Sequence, residues 1–490
     1  MTGYPRLSQA TLAAAAPGIA VPAYDRAGIA PGIVHFGPGA FQRAHIASYV
    51  EVLLPADPRW GIAGIALRQG AQGAALAAQD YLYTLAELDE PARFRVLGAL
   101  KDYIVAPAEP ARAVARLDAA SLVTITVTEK GYGLDARGEL DAGHPGIVRD
   151  LAQPLAPAGL IGWLALGLAR RRAARLPPFV VMSCDNLASN GPKLRRALIA
   201  FAGASGQADL ARWIEDELRC PATMVDSITP ATDDALRARV AAATHLRDAE
   251  PVQRESFAQW VIEDSLGPGM PDLTAAGAQL TGDVHAYEQA KLRLLNGAHS
   301  ALAYIGLERG HATVGEAMGD ARLGAFVERL MREDVAATLC AARGLDIQDY
   351  VGVLLRRLRN PAVSHRLAQI AADGSTKLPY RFLEPIADLL KLGRPVTRPC
   401  VAVAAWMRFV RGAARAGQPL ADPLADELLA AGKACSGSAA TDVPRFLALA
   451  AIFPRELAAA PASPPRSPPP MTISTGALRQ PGAGAAAGAT

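Results

Sequence analysis

Gly32-Ile33-Val34-His35-Phe36-Gly37-Pro38-Gly39-Ala40-Phe41-Gln42-Arg43 is the stretch that decides the fold. An apolar run of strand length breaks into two closely spaced glycines and continues as a helical pattern. A dinucleotide pyrophosphate needs this arrangement. Glycines let the backbone come close, and the helix start offers unpaired N–H groups and the positive end of a dipole. Gly37, Gly39 and Phe41 are the candidate cofactor contacts. Gln42 stands where the third glycine of the G-x-G-x-x-G pattern belongs, so the turn alone also fits a purely structural role.

Further apolar or β-branched runs of strand length follow at 62–67, 122–127 and 179–183, with helical patterns at 161–175 and 193–202 between or beside them. Strands alternating with helices predict a parallel sheet. The second strand ends Ala66-Leu67-Arg68-Gln69-Gly70-Ala71 and lacks the acidic residue that usually holds an adenosine ribose. Arg68 could face a 2′-phosphate, stack on adenine or be solvated, so NAD is the expected cofactor with NADP open.

After about residue 280 the strand-like runs largely vanish and helical patterns take over, at 288–304, 323–341 and 402–414. The fold expected is an α/β N-terminal Rossmann-type domain (1–280) followed by a mostly α-helical C-terminal domain (281–460). Residues 461–490 are rich in Pro, Ser, Gly and Ala and are expected to form a disordered low-complexity tail.

A chain of 490 residues calls for at least two domains. A formal net charge of +3 gives no electrostatic case for nucleic acid or an anionic membrane surface. The longest apolar run, 159–169, is too short to span a bilayer, and the alanine-rich N-terminus does not read as a secretory signal. A cytoplasmic enzyme is the default expectation. The five cysteines are scattered without a CxxC pair, against both a disulfide framework and a structural zinc site, and no metal is expected.

The densest chemistry lies in Tyr287-Glu288-Gln289-Ala290-Lys291-Leu292-Arg293-Leu294-Leu295-Asn296-Gly297-Ala298-His299. At about 100° per residue, with Lys291 at 0°, Glu288 falls near 60°, His299 near 80° and Asn296 near 140°. Four polar groups thus share one side of a helix, an expensive pattern where that side is buried. A solvated amphipathic face is the competing reading, although Asn and Gly in mid-run are poor helix formers. Tyr287 and Lys291 also form a Tyr-x-x-x-Lys pair, the spacing used by short-chain dehydrogenases. That pair normally follows the cofactor loop within one smaller domain, whereas here it opens a second, helical one.

Together these segments resemble the polyol-specific long-chain dehydrogenases, the mannitol dehydrogenase family that includes mannitol 2-dehydrogenases and fructuronate reductases. The resemblance covers roughly residues 20–455. It rests on His35-Phe-Gly-Pro-Gly-Ala-Phe-Gln-Arg-Ala-His45, Gln79-Asp-Tyr-Leu-Tyr-Thr84, Thr126-Val-Thr-Glu-Lys-Gly-Tyr132, Ser183-Cys-Asp-Asn-Leu187, Met224-Val-Asp-Ser-Ile-Thr-Pro230, the Lys291/Asn296/His299 helix, and Asp373-Gly-Ser-Thr-Lys-Leu-Pro379. It implies metal-independent hydride transfer between nicotinamide and a secondary alcohol or ketone of a linear sugar derivative. By the same resemblance Lys291 is the acid/base, and Asn296 and Asn186 donate to the substrate oxygen. His299 and Lys377 hold substrate hydroxyls, Glu288 exchanges protons with the lysine, and Asp226 lies on the substrate side. Gln369 stands where mannitol-oxidising relatives carry an arginine, which points first to D-fructuronate/D-mannonate, with Arg381 facing a carboxylate. D-mannitol/D-fructose is the alternative. The partner expected is therefore a small-molecule sugar acid or polyol, and the resemblance implies a monomer. A nucleotide-binding regulator without activity would be expected to lack the lysine helix, and a zinc alcohol dehydrogenase would need clustered Cys and His ligands.

Overall fold

A computed structural model describes residues 3–458, apart from 136, 341, 363 and 364. The strands in chain order are β1 Ile33–Phe36, β2 Ile62–Ala66, β3 Tyr83–Leu88, β4 Arg93–Leu97, β5 Leu100–Val105, β6 Leu122–Ile125, β7 Val180–Ser183, β8 Thr223–Asp226, β9 Val252–Glu255, β10 Gln259–Glu263 and β11 Gln279–Thr281. The central sheet has the order β5-β2-β1-β6-β7, and every neighbouring pair in it is parallel. β1, β6 and β7 are buried along their whole length, as a sheet covered on both faces requires. The strand order reverses between β1 and β6, and a crevice beyond the carboxyl ends of strands at such a reversal is where dinucleotides bind.

Register decides what meets at that crevice. Phe36 pairs with Ile125 and Ile125 with Ser183, so β1, β6 and β7 end level. Gly37, Thr126 and Cys184 are consequently the first residues past the sheet, with Asp185 and Asn186 just beyond. The α/β region also carries two mixed three-stranded sheets, β11-β10-β8 and β4-β3-β9, which the strand–helix alternation did not announce.

From Val284 onward the described chain is nearly all helical. Its centre is the helix Gly297–Glu308, whose Ala301, Leu302, Ala303 and Tyr304 are all buried. A helix apolar on every side has to be wrapped by others. Trp406 and Val410 from the helix Thr397–Ala416, and Phe382 and Leu367, share its core. The helix expected over 288–304 is interrupted: Val284–Ala290 is α, Lys291–Asn296 is a π turn, and α geometry resumes at Gly297. No helix among the described residues is long and apolar enough to cross a membrane. The tail expected to be disordered, 461–490, lies outside the described residues.

Candidate active site

The glycine turn is built by close approach. Gly37 has φ +86°, and a Cβ there would meet the Thr126 carbonyl oxygen at 2.1 Å, so only glycine fits between β1 and the loop after β6. Gly39 precedes the helix Ala40–Ala44 in extended conformation, and a Cβ on it would meet nothing nearer than the Gly37 oxygen at 3.8 Å. The space over Gly39 is therefore open, as a pyrophosphate needs. Phe41 stacks on His45, with ring centroids 4.9 Å apart. Arg68 is exposed just beyond β2, without an ion pair among the described residues. These residues would hold a dinucleotide at the β1/β6 crevice, where it would supply hydride-transfer chemistry beside the loop after β7.

That loop carries Asn186. Asp185 beside it accepts hydrogen bonds from the backbone N–H groups of Val127 and Thr128, both 3.0 Å, and from the Tyr132 hydroxyl at 2.8 Å. The loops following β6 and β7 are thereby pinned to each other. Asn190 donates to the carbonyls of Ser183 and Thr223, holding β8 against the same end of the sheet.

Lys291 meets these loops from the helical side. Its Nζ donates to Asn186 Oδ1 at 2.7 Å and to the Val225 carbonyl on β8 at 2.5 Å. An ammonium has three donors, and a neutral amine has two donors and one lone pair. With two protein acceptors in place, the remaining direction holds either the third proton or the lone pair. The two protonation states thus differ only along one axis, which is the geometry an acid/base needs. Burial pushes the lysine below its ordinary range; Asp226 opposes that shift, and Arg357 adds to it.

Lys291 and Asn296 open and close the π turn, whose wider i→i+5 winding brings residues five apart closer in angle than the roughly 140° of regular α spacing. Arg381 lies in a second π turn, Pro379–Leu383, and its Nη1 donates to the Asn296 carbonyl at 3.2 Å and to Ser300 Oγ at 2.8 Å. Glu288 is buried and accepts from the Ser189 N–H at 3.2 Å, with His285 3.6 Å away at the surface. Burial raises the Glu288 carboxyl, and Ser189 and His285 partly offset this. His299 is buried beside His365 with ring centroids 5.2 Å apart, and burial holds it neutral with a pKa of about 3. Lys377 donates to the Ala372 carbonyl at 2.6 Å. Tyr287 plays no part in this cluster: its hydroxyl donates to the Arg343 carbonyl at 3.2 Å.

Asp226 and Arg381, both expected on the substrate, also have protein partners. Asp226 is 4% exposed, and both its oxygens accept from Arg357, at 2.6 and 3.1 Å. Arg357 also donates to both oxygens of Glu255 on β9, at 2.9 and 2.7 Å, and lies over the Phe257 ring. One guanidinium from the helix Ile347–Leu358 therefore ties β8 and β9 together under the lysine. Burial alone would raise the Asp226 carboxyl, but Arg357 and Lys291 hold it below its ordinary range. Sequence reasoning missed Arg357, Glu255 and His365. An Arg-Arg pair on an amphipathic helix carries no local sign that one member turns inward.

Comparison with known proteins agrees with the geometry. The family described as the mannitol dehydrogenase Rossmann domain matches residues 31–274, and the mannitol dehydrogenase C-terminal domain matches residues 283–463. The mannitol 2-dehydrogenase of Phaeosphaeria nodorum is 39% identical over 84% of this chain and 75% of its own. The polyol:NADP oxidoreductase of Gluconobacter oxydans is 36% identical over 83% and 85%. The solved ternary complex of Pseudomonas fluorescens mannitol 2-dehydrogenase with NAD and D-mannitol superposes with a TM-score of 0.79 at 37% identity, covering 91% of this chain and 92% of that one.

Proposed function

Because the chain belongs to the mannitol dehydrogenase family, whose members are NAD(P)-dependent oxidoreductases acting on CH–OH groups of polyols, we propose that it interconverts a linear polyol and its ketose at the cleft between the glycine turn and the lysine helix. The observation that carries this reading is the Lys291 amine, held by two protein acceptors with one direction left for a substrate oxygen. The nicotinamide supplies the hydride acceptor or donor. In alcohol oxidation the neutral Lys291 takes the hydroxyl proton, and in ketone reduction its ammonium returns it. The Asn186 and Asn296 side-chain amides stabilise the oxygen where charge builds, from opposite sides of the cleft. Glu288, three residues before Lys291 on the same helix and next to the exposed His285, gives the proton a way to solvent. The domain limits that go with this reading are a cofactor-binding unit over 1–280 and a substrate-binding helical unit over 281–460.

We put the neutral polyol first, the reverse of the order expected from Gln369 and Arg381, and the relatives above named for mannitol support that order. One observation favours a second reading, a linear sugar acid. Arg381 is half-buried, burial lowers its pKa to about 10, and no carboxylate pairs with it among the described residues. A substrate carboxylate would relieve that cost. NAD(P)H oxidation with D-fructose and with D-fructuronate, and NAD(P)+ reduction with D-mannitol and with D-mannonate, test both. Faster turnover of the neutral pair supports the first reading, faster turnover of the acids supports the second, and inactivity with all four overturns both.

A further inference from the structure

His365 is unused by the chemistry above, yet its place is tightly determined. Its carbonyl accepts from the Val314 N–H at 3.0 Å, and two residues on, the Leu367 N–H donates to the Ala312 carbonyl at 2.9 Å. Arg366 bridges Thr313 between them. The backbone on the C-terminal side of His365 is thus anchored to the turn after the central helix. The ring lies edge-on to His299, at 77° between planes. His299 Nε2 and His365 Nδ1 are both buried without a hydrogen-bond partner among the described residues. Such orphans are costly, and an apolar side chain of similar size would fill the position without that cost.

We infer that His365 is a substrate ligand that acts with His299 as a two-imidazole clamp on one hydroxyl of the linear chain. The inference rests on the reading that this cleft takes a linear polyol. A hydroxyl gives one hydrogen bond and accepts one. A neutral imidazole has one N–H and one lone pair, so two of them can offer a donor from one ring and an acceptor from the other. Burial keeps both rings neutral. The clamp therefore selects a carbon bearing a free hydroxyl and fixes how far the chain lies from Lys291. The surroundings carry both signs of charge: His299 lies in the combined field of Arg381, Arg357 and Asp226.

The test is steady-state reduction of D-fructose and of its singly deoxygenated analogues by wild type, His365→Phe and His365→Asn. Phe keeps the packing and removes both nitrogens, whereas Asn restores a donor and an acceptor. The clamp predicts that His365→Phe raises KM for D-fructose about 5- to 30-fold, with kcat within about twofold and NAD(P)H affinity unchanged. It also predicts one deoxy analogue on which wild type and His365→Phe have the same KM, and partial recovery in His365→Asn. Equal KM values for all substrates, or an equal loss on every analogue, would overturn the proposal. If His365→Phe fails to fold, His365→Asn decides alone, by whether its KM change disappears on one analogue. Wild type inactive on every linear substrate would overturn the functional reading and the clamp with it; active wild type with an unresponsive His365 overturns the clamp alone.

Discussion

Removing the Arg357 guanidinium should do two separable things. Its side chain is 5% exposed and serves Asp226 and Glu255, themselves 5% and 2% exposed. Arg357→Met would leave two buried carboxylates without their cation. Breaking one buried pair from one side costs about 3–5 kcal/mol, and sharing one cation between two acids places this site at the upper end. Urea unfolding should show that loss as a lower midpoint at unchanged slope. The second effect is electrostatic. Arg357 depresses Lys291 and Asp226 raises it, so Arg357→Met should move the lysine's titration toward alkaline pH and Asp226→Asn should move it toward acid. Alcohol oxidation needs the neutral amine, so the rise of kcat/KM with pH should shift up in the first variant and down in the second. Opposite shifts in two variants that are both destabilised cannot come from instability alone. Identical pH profiles, or a stability loss under about 1 kcal/mol in Arg357→Met, would refute the reasoning.

Four further substitutions test other parts of the site. Asn186→Ala and Asn296→Ala should each lower kcat by about 10²–10³ if they stabilise the developing oxyanion, with cofactor affinity retained when binding is followed by nucleotide fluorescence. Asn186→Ala should also cost more than Asn296→Ala in oxidation, because it frees the Lys291 amine to turn. The two glycines should part company: Gly39→Ala should fold normally and weaken NAD(P)H binding, because its Cβ enters open space. Gly37→Ala should fail to give stable protein, because its Cβ would lie 2.1 Å from the Thr126 oxygen at φ +86°. Thermal melting with and without cofactor separates these outcomes.

Much of this architecture is legible in the chain because it is local. A strand breaking into Gly37 and Gly39 announces the cofactor turn, and the polar residues from Glu288 to His299 announce a chemical face on one helix. Angular position on that helix is less legible. Projection at regular helical spacing assumes α geometry throughout, whereas Lys291–Asn296 is a π turn that meets a second π turn around Arg381, a contact distant in sequence. The ion-pair cluster is illegible for a different reason. Arg357 lies 131 residues from Asp226 and 102 from Glu255, and it meets them only because β8 and β9 belong to two separate mixed sheets that close under the helical domain. Gln369 and Arg381 suggested a substrate carboxylate, and the sequence gives no sign that Arg381 also donates from Nη1 to Asn296 and Ser300. A charged side chain near a site has a meaning that depends on its partners, and those are set by tertiary structure.

The central claim is that one amine, Lys291, moves the proton in both directions. Its most direct measurement is the pH dependence of kcat/KM for alcohol oxidation and for ketone reduction on the same enzyme, with Lys291→Ala alongside. Oxidation should rise with pH and reduction fall through one common pKa below the ordinary lysine range, while Lys291→Ala binds cofactor and loses both activities. Profiles that move in the same direction, or near-native turnover by Lys291→Ala, would contradict it.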